Sequence, residues 1–234
     1  MTADKRYYYA FPSETPGSGE PSLSEVGGKA LSLIEASAAK FPVPPGLVLT
    51  VAFFEAWLED IGKSPEWVNF IEAGVGATKE LCDGVKALCI NSLVLTSDQE
   101  TYLQEALQKA FNRDGKELQG TYGFGVVAVR SSSPEEDLAG SSFAGGYDTT
   151  LGVTPSNLSQ ALVASFASMF DHRVVQYKLQ HNLDIGKPRI AVVVQRQIAS
   201  DVSGVGFSIN PSNNCYDEVM ISANFGLGES VVGG

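Results

Sequence analysis

The order of apolar and polar positions divides the chain into elements before any motif is considered. Tyr7 to Phe11 reads as a short aromatic strand, and Pro12 to Pro21 as a Pro/Gly/Ser-rich loop. A helix is expected from about Ser24 to Ala39, with Leu31 and Ile34 on its inner face. Phe41 to Leu49 holds three prolines and then Gly-Leu-Val-Leu, an extended turn entering a short strand, and Thr50 is placed to cap a helix through Leu58. The clearest helix runs from Ser97 to Arg113. Ser97 and Glu100 have capping-box spacing, and Leu103, Ala106, Leu107, Ala110 and Phe111 form one apolar stripe. Gly115 and Gly120 interrupt the pattern, which sets a boundary between an N-terminal lobe, residues 1–117, and a second lobe, residues 118–234.

Beyond that boundary, Val126 to Val129 is a short apolar run flanked by glycine, the pattern of a buried strand. Thr154-Pro155 opens a long helix expected to end near Asn182, with Leu158, Ala161, Leu162, Ser165, Phe166 and Met169 on its stripe. Ile190 and Val192 to Val194 give another buried strand; Gly204 to Ile209 and Glu218 to Asn224 give two more. Strands and helices mix without strict alternation. The fold class is therefore α+β (mixed α/β) rather than a doubly wound sheet.

With 44% apolar side chains, 24 glycines and only 18% charged residues in 234, the chain has ample material for a core and is not a disordered polymer. The longest nearly continuous apolar stretch, Gly46 to Phe54, falls far short of the ~18 residues of a membrane span, so no membrane partner is expected. Sixteen basic against 27 acidic residues give a net charge of −11, which repels phosphate backbones and argues against nucleic acid as partner. The first residues contain no apolar run of the kind found in secretory signals. The three cysteines form no CxxC pair. Cys82 and Cys89, seven apart, fall on one helical face as small buried hydrophobes, and two histidines supply a zinc site poorly. A reduced, cytoplasmic protein is expected.

The glycine count invites nucleotide-binding motifs, yet no Gly-Lys pair (28–29, 62–63, 115–116, 186–187) has both the upstream glycine and the following Ser/Thr of a P-loop. Gly204-x-Gly206 and Gly226-x-Gly228 lack the third glycine of a dinucleotide fingerprint. Five other segments carry candidate chemistry. Lys29, after Gly27-Gly28, stands in the opening turn of a helix, where the macrodipole disfavours a cation unless an anion is shared; a solvated surface lysine is the alternative. Arg130, at the end of a buried strand, needs a partner: Glu135, Glu136 or Asp137, or a bound phosphate. Gly140 to Gly146 is dense enough in small residues to form an anion-binding nest or a lid with Phe143 at its tip, or a plain flexible hairpin. Gln195-Arg196-Gln197-Ile198 closes a buried strand with polar groups that suit the edge of a flat heterocycle or an ordinary strand end. Glu229 sits in a glycine turn.

Taken in order, VGGKALSL, VPPGLVLT, VAVRSSSPEEDLAGSSFAGGYDTTLGV, VVVQRQIASDVSGVGFSINP and ISANFGLGESVVGG resemble the N-terminal ATP-binding domain of the phosphoenolpyruvate synthase and pyruvate phosphate dikinase family, which includes rifampin phosphotransferase. The likeness runs from about Leu23 to Gly234, and its central 27-residue motif is highly specific. The resemblance implies an ATP-grasp-like fold of two lobes, with ATP and magnesium as cofactors. It implies transfer of a phosphoryl group to a histidine on a separate domain and then to pyruvate or another acceptor bound elsewhere. Carried over by motif, Lys29 and Arg130 hold the phosphates, and Ser142, Phe143, Ala144, Gly145 and Gly146 cover them with Thr149 nearby. Gln195, Gln197 and Ile198 face adenine, and Glu229 lies near the nucleotide. No metal ligand is assigned, because the resemblance places the magnesium carboxylates beyond Gly234, so the C-terminal part of the domain is expected to be missing. Ser133-Pro134 replaces the family's usual Ala-Thr, Ala139 its Pro, and Gly152 a common Asn. Neither His172 nor His181 has the context of a phosphohistidine. The alternative function is a truncated or degenerate module that binds nucleotide without catalysis.

Overall fold

Ala191 to Val194 are four consecutive buried residues, and a strand can bury successive side chains only when both of its faces are covered. The computed structural model describes residues 5–12, 20–111, 125–135 and 149–232, and supplies both covers. Contacts divide the chain into a large unit, Met1–Gln197, and a small one, Ile198–Gly234. The lobe boundary expected near residue 117 lies outside the described residues.

The large unit is built on an antiparallel sheet of β1 (Tyr8–Phe11), β2 (Gly46–Leu49), β3 (Val127–Ser132), β4 (Thr149–Val153) and β5 (Ala191–Arg196), in the order β1-β2-β5-β3-β4. It draws strands from both sides of residue 117. The alternate residues Val48, Ala191 and Val193, with Phe11, pack against Val26 and Ala30 of α1 (Leu23–Ala38). Leu47, Leu49, Val192 and Val194 face the other way. There they join a cluster formed with α2 (Glu55–Ile61), α3 (Pro65–Ala73), α4 (Lys79–Ser92), α5 (Ser97–Phe111), α6 (Leu158–Ala167) and α7 (His172–Gln180). Trp57 stacks edge-on to Phe166 at 5.3 Å within that cluster. Cys82 and Cys89 are buried in it, as their spacing on α4 requires.

Most expected elements are found within a residue or two, and the departures have local causes. The α5 stripe is buried as expected, but its capping pair lies one residue earlier. Gln99 Oε1 accepts from Thr96 N at 3.0 Å, and Thr96 Oγ1 accepts from Gln99 N at 3.2 Å. Thr50 does not cap a helix with its side chain; its hydroxyl donates to the Arg6 carbonyl at 2.7 Å, and a 3-10 turn, Val51–Phe54, precedes α2. The long helix expected up to Asn182 is two helices. A 3-10 turn at Ser168–Phe170 and extended backbone at Asp171 (φ −57°, ψ 132°) separate α6 from α7. Lys178 on α7 is buried against Glu135, Nζ to Oε2 2.7 Å, with Arg189 on the other carboxylate oxygen at 3.7 Å.

The small unit holds an antiparallel ribbon of β6 (Val202–Phe207) and β7 (Met220–Phe225), followed by α8 (Glu229–Val232). Asn210 donates to Glu218 at 2.7 Å and Asn213 at 3.3 Å, which lowers the Glu218 carboxyl below its ordinary pKa.

Candidate functional site

The Gly-Gly-Lys segment is a break between two helices that run on into one another. Gly27 takes φ +73° and ψ 167°, so the second part of α1 begins at Gly28, with Lys29 in its first turn. In an uninterrupted helix the Ala30 N–H would donate to the Val26 carbonyl. Here the Ser132 hydroxyl stands between them: it accepts from Ala30 N at 3.0 Å and donates to Val26 O at 2.7 Å. A side chain inserted into the ladder is a recognised cause of helix kinks. Gly27 occupies the capping position without a side chain to cap with, so Ser132 supplies the cap from β3. The approach is close enough that a Cβ on Gly27 would lie 2.6 Å from Ser132 Oγ and from its carbonyl carbon.

Arg130 lies two residues before Ser132 and therefore on the same face of β3. Its partner across β5 is Val193, one of the residues packed under α1, and its partner across β4 is Thr149. Lys29, Arg130, Ser132 and the exposed Thr149 are thus collected on the α1 side of the sheet. Arg130 is half-buried, and among the described residues no carboxylate lies within ion-pair distance of it. Glu135, one of the partners considered from sequence, is committed to Lys178 and Arg189; Glu136 and Asp137 lie outside the described residues.

The polar side chains closing β5 are engaged within the protein. Gln195 is on the α1 side, opposite Ala128, but its amide donates to the Pro44 carbonyl at 3.0 Å. Gln197 Oε1 accepts from Gly152 N at 2.7 Å. Both side chains are tied into the protein by these bonds. Gly152 itself has φ +69°, a conformation in which Gly and Asn are the favoured residues, so its exchange for the family's Asn is a change between two that fit.

Ser142, Phe143, Ala144, Gly145 and Gly146 lie outside the described residues. Ile198 and Glu229 belong to the small unit; Ile198 is exposed and Glu229 is the first residue of α8. The turn before Glu229 is held by Ser203, whose hydroxyl donates to the Gly226 carbonyl at 2.6 Å, and by Gly226 N donating to Asp201 O at 2.8 Å. His172 and His181 stand at the two ends of α7, half-buried and exposed. Among the described residues no group of three or more His, Cys, Asp or Glu is arranged to hold a metal. Ser132 is the functional candidate that sequence reasoning passed over. Its one signal was a run of three serines closing a buried strand beside Arg130.

Residues 23–234 match the family model described as pyruvate phosphate dikinase, AMP/ATP-binding domain. A probable phosphoenolpyruvate synthase of Methanothermobacter thermautotrophicus is 35% identical over 232 residues, covering 97% of this chain and 32% of the relative. An uncharacterized phosphotransferase of Bacillus subtilis, YvkC, is 33% identical over 216 residues, 92% of this chain and 23% of its own length. The phosphoenolpyruvate synthase of Pyrococcus furiosus is 31% identical over 245 residues, 89% of this chain and 29% of its own. The chain spans about a third or less of the length of these relatives.

Proposed function

This chain belongs to the pyruvate phosphate dikinase AMP/ATP-binding domain family, and from that premise we propose that Lys29 and Arg130 hold the phosphates of ATP on the α1 side of the sheet. The observation that carries the proposal is their joint placement: the turn bearing Lys29 is tied by Ser132 to the strand bearing Arg130. In a protein of net charge −11, two cations gathered on one face of a sheet suit a polyanion. The start of the second helix adds the positive end of its dipole. Arg130 offers a planar fork of donors to phosphate oxygens, and Lys29 a point charge.

The fold in this reading is ATP-grasp, and the cover over the phosphates is the part assigned by motif to residues 142–146. Because the Gln195 and Gln197 side chains are engaged, adenine would be read mainly by backbone groups along Gln195 to Ile198. Magnesium offsets phosphate charge when bound. Among the described residues no cluster of three or more carboxylate, histidine or cysteine groups assembles for it, and the charge neutralisation assigned to described side chains falls to Lys29 and Arg130. Catalysis would then be positioning and charge stabilisation during phosphoryl transfer. The acceptor would be a histidine on another domain of a longer, cytoplasmic phosphotransferase, and pyruvate or a different acceptor would follow.

The test is ATP titration of the chain and its variants. Lys29→Ala and Arg130→Ala should each weaken ATP by about tenfold or more, as expected for loss of a charge-assisted contact, with the unfolding midpoint unchanged. Unaltered ATP affinity in both variants would sink the assignment.

A further inference from the structure

We infer that Ser132 is a positioning residue for the nucleotide: by capping the Lys29 helix from a neighbouring strand, it sets the direction of Lys29 relative to Arg130. The inference rests on the ATP reading above. A serine hydroxyl has one proton to donate and lone pairs to accept with, and Ser132 uses both functions on two backbone groups of α1. It is fully buried and lies 102 residues beyond Ala30. No covalent or local constraint imposes this bridge. It joins two segments, each of which contributes one cation to the same side of the sheet.

The consequence of removing the hydroxyl follows from what it separates. Ala30 N–H and Val26 C=O are natural partners in a regular helix. Without Ser132 Oγ between them they can bond directly, which draws the Gly27 turn toward ordinary helical geometry. Successive residues of a helix are about 100° apart around its axis, so rewinding this turn changes the direction in which Lys29 leaves α1 relative to Arg130. Arg130 stays where the β3 ladder holds it. The expected defect is therefore selective: contacts to the phosphates are lost, while the protein remains folded because the freed backbone groups satisfy each other.

The experiment compares ATP with adenosine, which has the base and sugar but no phosphate. Both are titrated by NMR into the wild-type chain, Ser132→Ala and Ser132→Cys. The backbone chemical shifts of Gly27 are followed in the same samples, and should move toward helical values in Ser132→Ala. Ser132→Ala should weaken ATP about tenfold, the size of a lost cap, and adenosine less than about twofold; Ser132→Cys, a poorer hydrogen-bonding group of similar volume, should fall between. Equal weakening of both ligands would mean a general structural defect and overturn the inference, as would ATP affinity unchanged in Ser132→Ala. A wild-type chain with no saturable ATP binding would remove the ATP reading instead. Capping would then be judged on the Gly27 backbone alone, and Gly27 shifts that keep their non-helical values in Ser132→Ala would overturn it too.

Discussion

β5 and the β6–β7 ribbon are written in the same alphabet of valine, isoleucine, phenylalanine and small residues, yet they live in opposite surroundings. Val192, Val193 and Val194 are wholly buried, the second beneath α1 and the other two against the helical cluster. In the ribbon, the register brings Val202, Ile221 and Phe225 onto one face with Gly204, Gly206 and Ala223, and Ile221 and Phe225 are 75% and 85% exposed. Strand character is a property of the local sequence, whereas burial is conferred by what lies above and below. The two regions should consequently respond to the same kinds of substitution in different ways.

The widest gap is expected at glycines. Gly27→Ala combines φ +73° with a Cβ forced against the backbone of Ser132, and should cost about 3 kcal/mol in denaturant unfolding. Gly206→Ala in β6 meets nothing within 4 Å and should stay within ~0.5 kcal/mol. Equal costs at the two positions would break the comparison at its strongest point. Truncation of apolar side chains sharpens it: Val193→Ala should cost about 2 kcal/mol, and Ile221→Ala no more than ~0.5 kcal/mol.

A gentler contrast lies in the cysteines. Burial pushes the Cys82 thiol up to about 11 and Cys89 up to about 12, because the thiolate would be stranded in an apolar cluster. Cys215, in the turn between β6 and β7, is partly exposed. A thiol reagent at pH 8 should modify Cys215 in the folded protein and reach Cys82 and Cys89 only on unfolding. Since the folded-state values lie above the ordinary 9.0, the stability that these thiols contribute is full below pH 9 and declines as pH rises toward 11 and 12. An alanine variant at both α4 positions should lose that alkaline decline.

Much of this was legible in the chain itself. The α5 stripe from Leu103 to Phe111 and the valine run of β5 follow periodicities that a sequence displays directly, and Lys29 and Arg130 stand out because a cation in either place needs an explanation. The errors came where two local solutions compete. Thr96–Gln99 and Ser97–Glu100 have the same capping spacing, and only Gln99 also reaches inward, its amide donating to the Phe53 carbonyl at 2.8 Å. Asp171 breaks a stripe that is apolar on both sides of it, and its carboxylate pairs with Lys86 of α4. Side-chain partners distant in sequence are a separate matter that no local pattern displays, as for Gln195 with Pro44 and Gln197 with Gly152. Ser132 showed in sequence only as part of a serine run, because its partners on α1 are equally distant.

The bridge between Ser132 and α1 has a consequence for the order of events during synthesis. The Val26–Ala30 turn leaves the ribosome more than 100 residues ahead of the serine that completes it. At about 5–20 residues per second, that is an interval of roughly 5–20 s. Throughout it the nascent segment carries a glycine pair where a helix would otherwise propagate, and no partner to fix the bend. The turn that presents Lys29 therefore takes its final form only when β3 arrives, so this corner of the protein is finished by the second half of the chain.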